Sequence, residues 1–465
     1  VKKHWGHWLL LLASCLPIML ARPRSNNLLL DTDTAYLLKK LTEINNPWHW
    51  FTHDWPLGNH FYRPISTILF EFDHRLHQSS GEGFGLTQAL MCCLATLSLA
   101  WLVTEFTKSL GQGMFAAWIF ALWSTNGWIF RHNIDSLLLY APPTLSIVVA
   151  IATIKFKKPL VSAITPCLGL LFLPTLASSV SSKLAGDTLF WLPGRTATSM
   201  TIFAFCSIAA YLRFERLNGE RTPEPLPTAL DLPATRTSSQ AKSSSLSIGW
   251  FWYGISLTNM ALALGCYEQA VMVPFVIIAA GFWLRRTGVQ TRFSFQFLFW
   301  MILFAYTIAR LQFVPIGPSG YQQQQFRSGP GVVIDLLAYI IPPLFPTFNY
   351  LKAVFTDFTE NYMILLDITI WAVLLRFASY VGFWSSIKKD CKLPLLAIIM
   401  AMLAFLPMAF LKEFGHYHYF PAGFMVLALI EATKAFWKTF LIAVTPQSFQ
   451  APQRSHRAPG SLPHL

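Results

Sequence analysis

Apolar positions in this chain come in long runs and not in alternation. Windows of about 18–20 apolar residues cross a hydrocarbon core of about 30 Å as a helix. Such windows recur at 5–21, 86–104, 112–130, 136–154, 159–178, 196–213, 248–267, 268–284, 294–313, 361–384, 393–412 and 418–438. The pattern predicts an all-α integral membrane protein of about twelve transmembrane helices joined mostly by short connections. One connection breaks the rule: residues 22–85 form a long first loop rich in polar, aromatic and histidine positions. Within it Leu37, Leu38, Leu41 and Ile44 share one helical face, and Asn46-Pro47 can start a second helix. The loop is therefore predicted to carry amphipathic helices on the membrane surface, with Trp48, Trp50 and Trp55 in the headgroup zone.

Composition agrees with the periodicity. The chain has 465 residues, 54% hydrophobic and 12% charged, where a soluble domain carries about 25% charged residues. The first run, after Lys2 and Lys3, resembles a signal peptide, but Ala21-Arg22-Pro23 is a poor cleavage site, so the run is expected to stay as an anchor. With the N-terminus inside, the inner loops collect Lys108, Lys155, Lys157, Lys158, Arg213, Arg216, Arg285, Arg286, Lys388, Lys389 and Lys392. That alternation obeys the positive-inside tendency. It also makes 332–347, with its Pro342-Pro343 break, an outer or re-entrant segment, because a further span would put Lys388 and Lys389 outside. The net charge of +13 then reflects orientation and anionic headgroups, and implies no nucleic acid.

These features divide the chain into an N-terminal membrane module (1–218), a Pro/Ser-rich cytoplasmic linker (219–247), a C-terminal membrane module (248–440) with an outer lid or re-entrant segment (314–360), and a basic tail (441–465). Cysteines fall in or beside the apolar runs, so neither a disulfide framework nor a CxxC metal signature is implied.

The chemistry begins in the first loop. Asp31 and Asp33 precede an amphipathic helix, where carboxylates cap free N–H groups and oppose the dipole. A carboxylate there could equally act as a general base on an acceptor hydroxyl. No cofactor is expected. A divalent metal at Asp31/Asp33 or at His49/His53 is the alternative, the two histidines standing one helical turn apart. His60, His74 and His77 show no ligand spacing.

Further motifs follow in order: Tyr62-Arg63-Pro64, Leu192-Pro193-Gly194-Arg195, Glu268 with Pro274 six residues on, and His416-Tyr417-His418-Tyr419-Phe420-Pro421. With the first-loop acids they resemble the signatures of GT-C membrane glycosyltransferases. The nearest branch is the dolichyl-phosphate-mannose–protein mannosyltransferase-like one, which includes the membrane part of the transmembrane-and-tetratricopeptide-repeat proteins. Three departures stand out: His416 replaces an arginine, 112–180 holds an extra helical pair, and no helical repeats follow the last apolar run.

The resemblance implies a sugar taken from a polyprenyl-phosphate carrier on the extracytoplasmic face, with Asp33 or Asp31 as the catalytic acid. Cations would meet the leaving phosphate. Candidates are Arg195, Arg310, Arg63 and Lys183, then Arg131, with His416 as a pH-sensitive substitute; each cation has snorkelling to headgroups as its alternative. Tyr62, Glu268, Tyr417 and Tyr419 would position substrate, although Glu268 could also be solvated or pair with an arginine. The Gly-, Pro- and Gln-rich stretch 315–325 has the composition of a lid. Expected partners are the lipid-linked sugar, the bilayer, and a glycan, lipid or protein acceptor, in a bacterial inner membrane. The competing classes are a transporter or lipid flippase, which would place charges at mid-span and show repeat symmetry, and a non-catalytic scaffold of the same architecture.

Overall fold

The computed structural model describes residues 5–125, 187–219, 238–337, 393–412 and 414–444. Among the described residues every regular element is helical, and the one extended contact is an antiparallel bridge between Phe326 and Leu411. The elements are α1 (Trp5–Ala13), α2 (Leu16–Ala21), α3 (Thr32–Ile44), α4 (Pro64–His77), α5 (Gly81–Thr107), α6 (Leu110–Ser124), α7 (Arg195–Gly219), α8 (Ser238–Leu264), α9 (Val273–Arg286), α10 (Phe297–Phe313), α11 (Gly320–Gln325), α12 (Pro330–Leu337), α13 (Leu393–Ala409) and α14 (Tyr419–Val444). Four stretches, Gly81–Thr107, Leu192–Gly219, Glu268–Arg286 and Phe293–Phe313, are long and apolar enough to cross a membrane. The expected spans at 136–154, 159–178 and 361–384 lie outside the described residues.

Two boundaries differ from the sequence expectation. The run 5–21 is two helices and not one, broken at Ser14-Cys15; Pro17 has no N–H to offer Ala13 and its ring crowds that carbonyl. Helix α8 starts at Ser238, inside the stretch assigned to the linker.

Two cores form for different reasons. The larger one packs α5, α6, α7, α8, α9, α10, α13 and α14 around Phe120, Trp123, Phe205, Phe299, Phe405 and Phe420, all fully buried. Between apolar helices in lipid the hydrophobic drive is weak, and close packing and interhelical hydrogen bonds take over. Helices α7 and α8 show this device: Ser207 Oγ donates to the Ser256 carbonyl at 2.8 Å, and Ser256 Oγ returns a bond to the Ser207 carbonyl at 2.6 Å.

The smaller core belongs to the first loop. Leu28, Leu37, Leu41, Trp50, Trp55, Phe70, Phe84 and Leu192 pack together. Helix α3 therefore turns its apolar face onto protein, and Trp50 and Trp55 are interior; only Trp48 is broadly exposed. This corrects the expected surface helix. A mixed helix face is the same signal whether lipid or protein covers it.

One glycine joins the two cores. Gly265, just after α8, accepts from Ile65 N at 2.9 Å and satisfies an N–H at the start of α4. A Cβ there would lie 2.4 Å from the Ile65 side chain, so only glycine permits the approach. Lys108, Arg213, Arg216, Arg285 and Arg286 all sit at one set of helix ends, where Arg213 and Arg216 share Glu105. The motif residues sit at the opposite ends.

Candidate functional site

The two acids of the first loop are not equivalent. Asp31 is the N-cap of α3: its carboxylate accepts from Thr34 N at 3.1 Å and Thr34 Oγ1 at 3.3 Å. The same Oδ2 accepts from the Trp191 indole N–H at 3.1 Å. Asp33, two residues on in the first turn of α3, has no hydrogen bond or ion pair to the described residues. Solvent reaches it, yet protein crowds one side, and this partial burial together with the Asp31 charge pushes its carboxyl above the usual carboxylate range.

A chain of ring contacts, Trp191 to His416 to Tyr267, leads from Asp31 to an ion pair. Arg63 Nε donates to both Glu268 oxygens, at 3.1 and 2.9 Å, and Nη2 to Oε2 at 2.6 Å. The guanidinium lies 4.1 Å from the Phe61 ring centre and 4.4 Å from that of Tyr267, faces that favour a cation. Local sequence explains both partners: Arg63 precedes Pro64, the first residue of α4, and Glu268 opens the turn Glu268–Met272 that leads to Pro274 in α9.

The Gly415–His418 turn closes the third side. His416 is buried, with ring centres of Tyr417 at 4.5 Å, Trp191 at 5.0 Å and Phe414 at 5.7 Å. Burial, then Arg63 and His418, lower its pKa to about 3. Burial among these rings thus disfavours the charged form that a phosphate-binding role would need. Gln269 fixes this turn by donating to the Tyr417 carbonyl at 3.0 Å and the Ala404 carbonyl at 2.8 Å.

The fourth side is the stretch expected to be a lid. His60 Nδ1 bonds the Gly317 carbonyl at 3.1 Å, and the His60 carbonyl accepts from Arg310 Nη2 at 3.3 Å. Arg310 is half-buried and has no carboxylate partner among the described residues. Among the described cations proposed for phosphate it is the arginine held by a backbone carbonyl and not by a carboxylate.

Several candidates stand elsewhere. Arg195 is sealed in protein, its Nη1 2.7 Å from Asp73 Oδ2 and its Nε 2.8 Å from Gln88 Oε1. It faces no opening, which corrects its assignment to a donor phosphate: the first-loop helix α4 supplies it an acid that the motif alone did not suggest. Tyr62 spends its hydroxyl on the Phe51 carbonyl at 2.8 Å and pins the loop. Tyr419 is fully buried against Trp123 and Phe120, with Ser124 Oγ at 3.4 Å from its hydroxyl, and is a core residue, not a positioning one. His49 and His53 stack face to face with ring centres 3.5 Å apart. Their lone pairs lie in the ring planes, so stacked rings do not converge on one ion. Among the described residues no three His, Cys, Asp or Glu side chains gather as metal ligands. Lys183 and Arg131 lie outside the described residues.

Sequence reasoning missed Trp191 and Tyr267. Both are immediate neighbours of recognised motifs, which was the available signal.

No family model matches the chain. No curated protein matches it either. Among solved structures it is similar in outline to the archaeal oligosaccharyltransferase AglB from Archaeoglobus fulgidus, determined with an inhibitory peptide and a dolichol-phosphate. The TM-score is 0.45 and the identity 13%, over 96% of this chain and 52% of that one. This chain thus spans about half of that protein's length. A likeness of that strength assigns neither family nor activity.

Proposed function

We propose that the chain is an integral membrane glycosyltransferase of the GT-C type, which moves a sugar from a polyprenyl-phosphate carrier to an acceptor hydroxyl with Asp33 as base. The observation that carries this reading is the division of labour between the two acids. Asp31 is engaged by Thr34 and Trp191, whereas Asp33 stands unengaged at the opening with its carboxyl pushed upward. A base works best when its pKa approaches the working pH, so partial burial beside a second acid suits Asp33 to the task.

In the proposed step the acceptor O–H gives its proton to Asp33 as its oxygen bonds the anomeric carbon. The bond from that carbon to the phosphate oxygen breaks, and its electron pair leaves with the polyprenyl phosphate. One displacement inverts the anomeric centre. Negative charge grows on the departing phosphate, and Arg310, whose guanidinium is bonded to the His60 carbonyl and to no carboxylate among the described residues, is the cation assigned to meet it. Arg63 is held by Glu268, so it shapes the opening more than it adds charge. The basic helix ends lie opposite this site, which supports an extracytoplasmic orientation of the site; the membrane we assign is a bacterial inner one.

The test is transfer by nanodisc-reconstituted protein from a panel of polyprenyl-phosphate sugars, with host membrane extract as acceptor. Sugar transfer by the wild type, abolished in Asp33→Asn and largely retained in Asp31→Asn, is the expected result. No donor consumed beside an active control enzyme would overturn the proposal.

A further inference from the structure

The loop between α9 and α10 is held in one shape by its own bonds. Helix α9 ends in a Schellman motif: Gly288, at φ 89°, donates its N–H to the Arg285 carbonyl at 3.1 Å, and Val289 N donates to the Leu284 carbonyl at 3.0 Å. Val289 is buried against Gly219 at the end of α7, where a Cβ would lie 2.6 Å from the valine side chain. Arg285 then ties the two ends of the loop together. Its Nε donates to Thr291 Oγ1 at 2.8 Å and its Nη2 to the Thr291 carbonyl at 2.9 Å, with the guanidinium 4.0 Å from the Phe293 ring centre.

This fixed loop carries three positive charges, and no acid occurs from Phe282 to Phe297. Arg285, Arg286 and Arg292 are all exposed, and none forms an ion pair among the described residues. Arg213 and Arg216, at the same set of helix ends, instead share Glu105. Glu215, the acid whose field reaches Arg285 and Arg292, is fully buried and accepts from the Tyr211 hydroxyl at 2.8 Å. The Schellman bonds already satisfy carbonyls at the end of α9, so capping does not account for the arginines there.

Apolar surface adjoins the cations. Phe282, one turn before Arg286, has its ring centre 5.3 Å from that of Phe293 and is 57% exposed; Phe297, at the start of α10, is 63% exposed. These rings stand at the ends of two stretches long and apolar enough to cross a membrane, Glu268–Arg286 and Phe293–Phe313. Unpaired cations beside exposed rings at a span's end match a molecule with an anionic head and a hydrocarbon tail. A soluble anion would use the arginines and leave the rings unmatched.

We propose that this loop binds an anionic phospholipid of the cytoplasmic leaflet, its phosphate meeting Arg285, Arg286 and Arg292 and its first acyl carbons lying on Phe282 and Phe297. Guanidinium suits phosphate because its donors fork to two oxygens at once. The site lies at the helix ends opposite the proposed transfer site and does not depend on that reaction.

The test is native mass spectrometry of the full chain in detergent, titrated with phosphatidylglycerol or with phosphatidylcholine of the same acyl chains. The wild type should hold phosphatidylglycerol about tenfold more tightly, the worth of one charge-assisted hydrogen bond. The double variant Arg286→Gln/Arg292→Gln should lose that preference, and Arg213→Gln, which removes a charge from the same side, should keep it. Phe282→Ser should weaken retention of phosphatidylglycerol. Equal retention of the two lipids by the wild type, an unchanged preference in the double variant, or an equal loss in Arg213→Gln overturns the site. If millimolar inorganic phosphate displaces the lipid as fully as added phosphatidylglycerol does, or if Phe282→Ser leaves retention unchanged, the loop binds a free anion and the lipid assignment falls.

Discussion

Two arginine–carboxylate pairs that meet at α4 are opposite in situation. Arg195 and Asp73 are each 1% exposed, and Gln88 takes a further guanidinium N–H. Arg63 and Glu268 are 9% and 20% exposed, ringed by Phe61, Tyr267 and Trp55, and border the opening where Asp33 stands free. Both arginines belong to motifs that pointed to phosphate. The difference is what surrounds them: a sealed pair can only hold helices in place, while a half-open pair beside an unengaged acid can shape a site. A buried pair contributes little net stability, yet leaving one member alone is costly. The sealed pair is thus a lock between α4 and α7, and the open one is architecture for chemistry.

The largest effect should separate activity from folding. Asp33→Asn removes the proposed base and should cut transfer by about 10²–10⁴-fold, with the thermal midpoint in detergent unmoved. Because partial burial and Asp31 raise the Asp33 carboxyl, wild-type transfer should fall with decreasing pH at a higher pH than an ordinary carboxylate of about 3.9 would give. An acid limb identical in Asp33→Asn would remove Asp33 from the mechanism. The sealed pair should show the converse. Arg195→Met strands Asp73 in the interior at a cost of about 3–5 kcal/mol, seen as lost folded protein after extraction. A stable Arg195→Met protein that no longer transfers sugar would mean that Arg195 does reach substrate.

How much of this was legible in the sequence differs between the two pairs. Apolar runs gave the helices at 81–107, 195–219 and 297–313 to within a few residues, because a span must satisfy its own backbone in lipid. The break at Ser14-Cys15 came from a single Pro position inside an apolar run, which hydropathy averages away, whereas the break after α8 fell where the runs 248–267 and 268–284 meet. Within the site, motif residues marked the right helix ends. The sequence could not say that Asp73, an unremarked residue of an amphipathic helix, turns inward to Arg195. Pairing partners 122 positions apart have no local signature. The same limit hid the seat of α11, which depends on backbone carbonyls of Asn59 and His60.

A smaller effect distinguishes the open region from an ordinary polar cleft. The native environment of His416 favours the neutral ring, its pKa lowered to about 3 by burial and then by Arg63 and His418. The unfolded chain takes a proton there below about 6.5. The unfolded state binds more protons in that window, so stability is full above about pH 6.5 and falls toward about pH 3, by at most about 1.4 kcal/mol per pH unit. His416→Phe keeps a ring among Trp191, Phe414 and Tyr417 and should flatten that slope in thermal melts. An unchanged slope would mean that His416 is already charged in the native state, and that the site carries one more cation than assigned to it.

The smallest effect tests whether Asp31 belongs to the structural side of the comparison although it lies in the open region. As the N-cap of α3 it holds Thr34 N, and through Trp191 it ties the first loop to the start of α7. Asparagine has an oxygen for the cap, so Asp31→Asn should lose little stability, whereas Asp31→Ala loses the cap at about 1 kcal/mol. Activity should follow the same order, since the residue acts by holding the helix that carries Asp33. Removing the Asp31 charge in either variant also removes part of what raises the Asp33 carboxyl. The acid limb of transfer should therefore shift to lower pH by the same amount in both, while only the alanine variant melts earlier. If instead both variants lose transfer as completely as Asp33→Asn and both fold, then the two acids work as one dyad, and the boundary between lock and site runs through α3 and not beneath it.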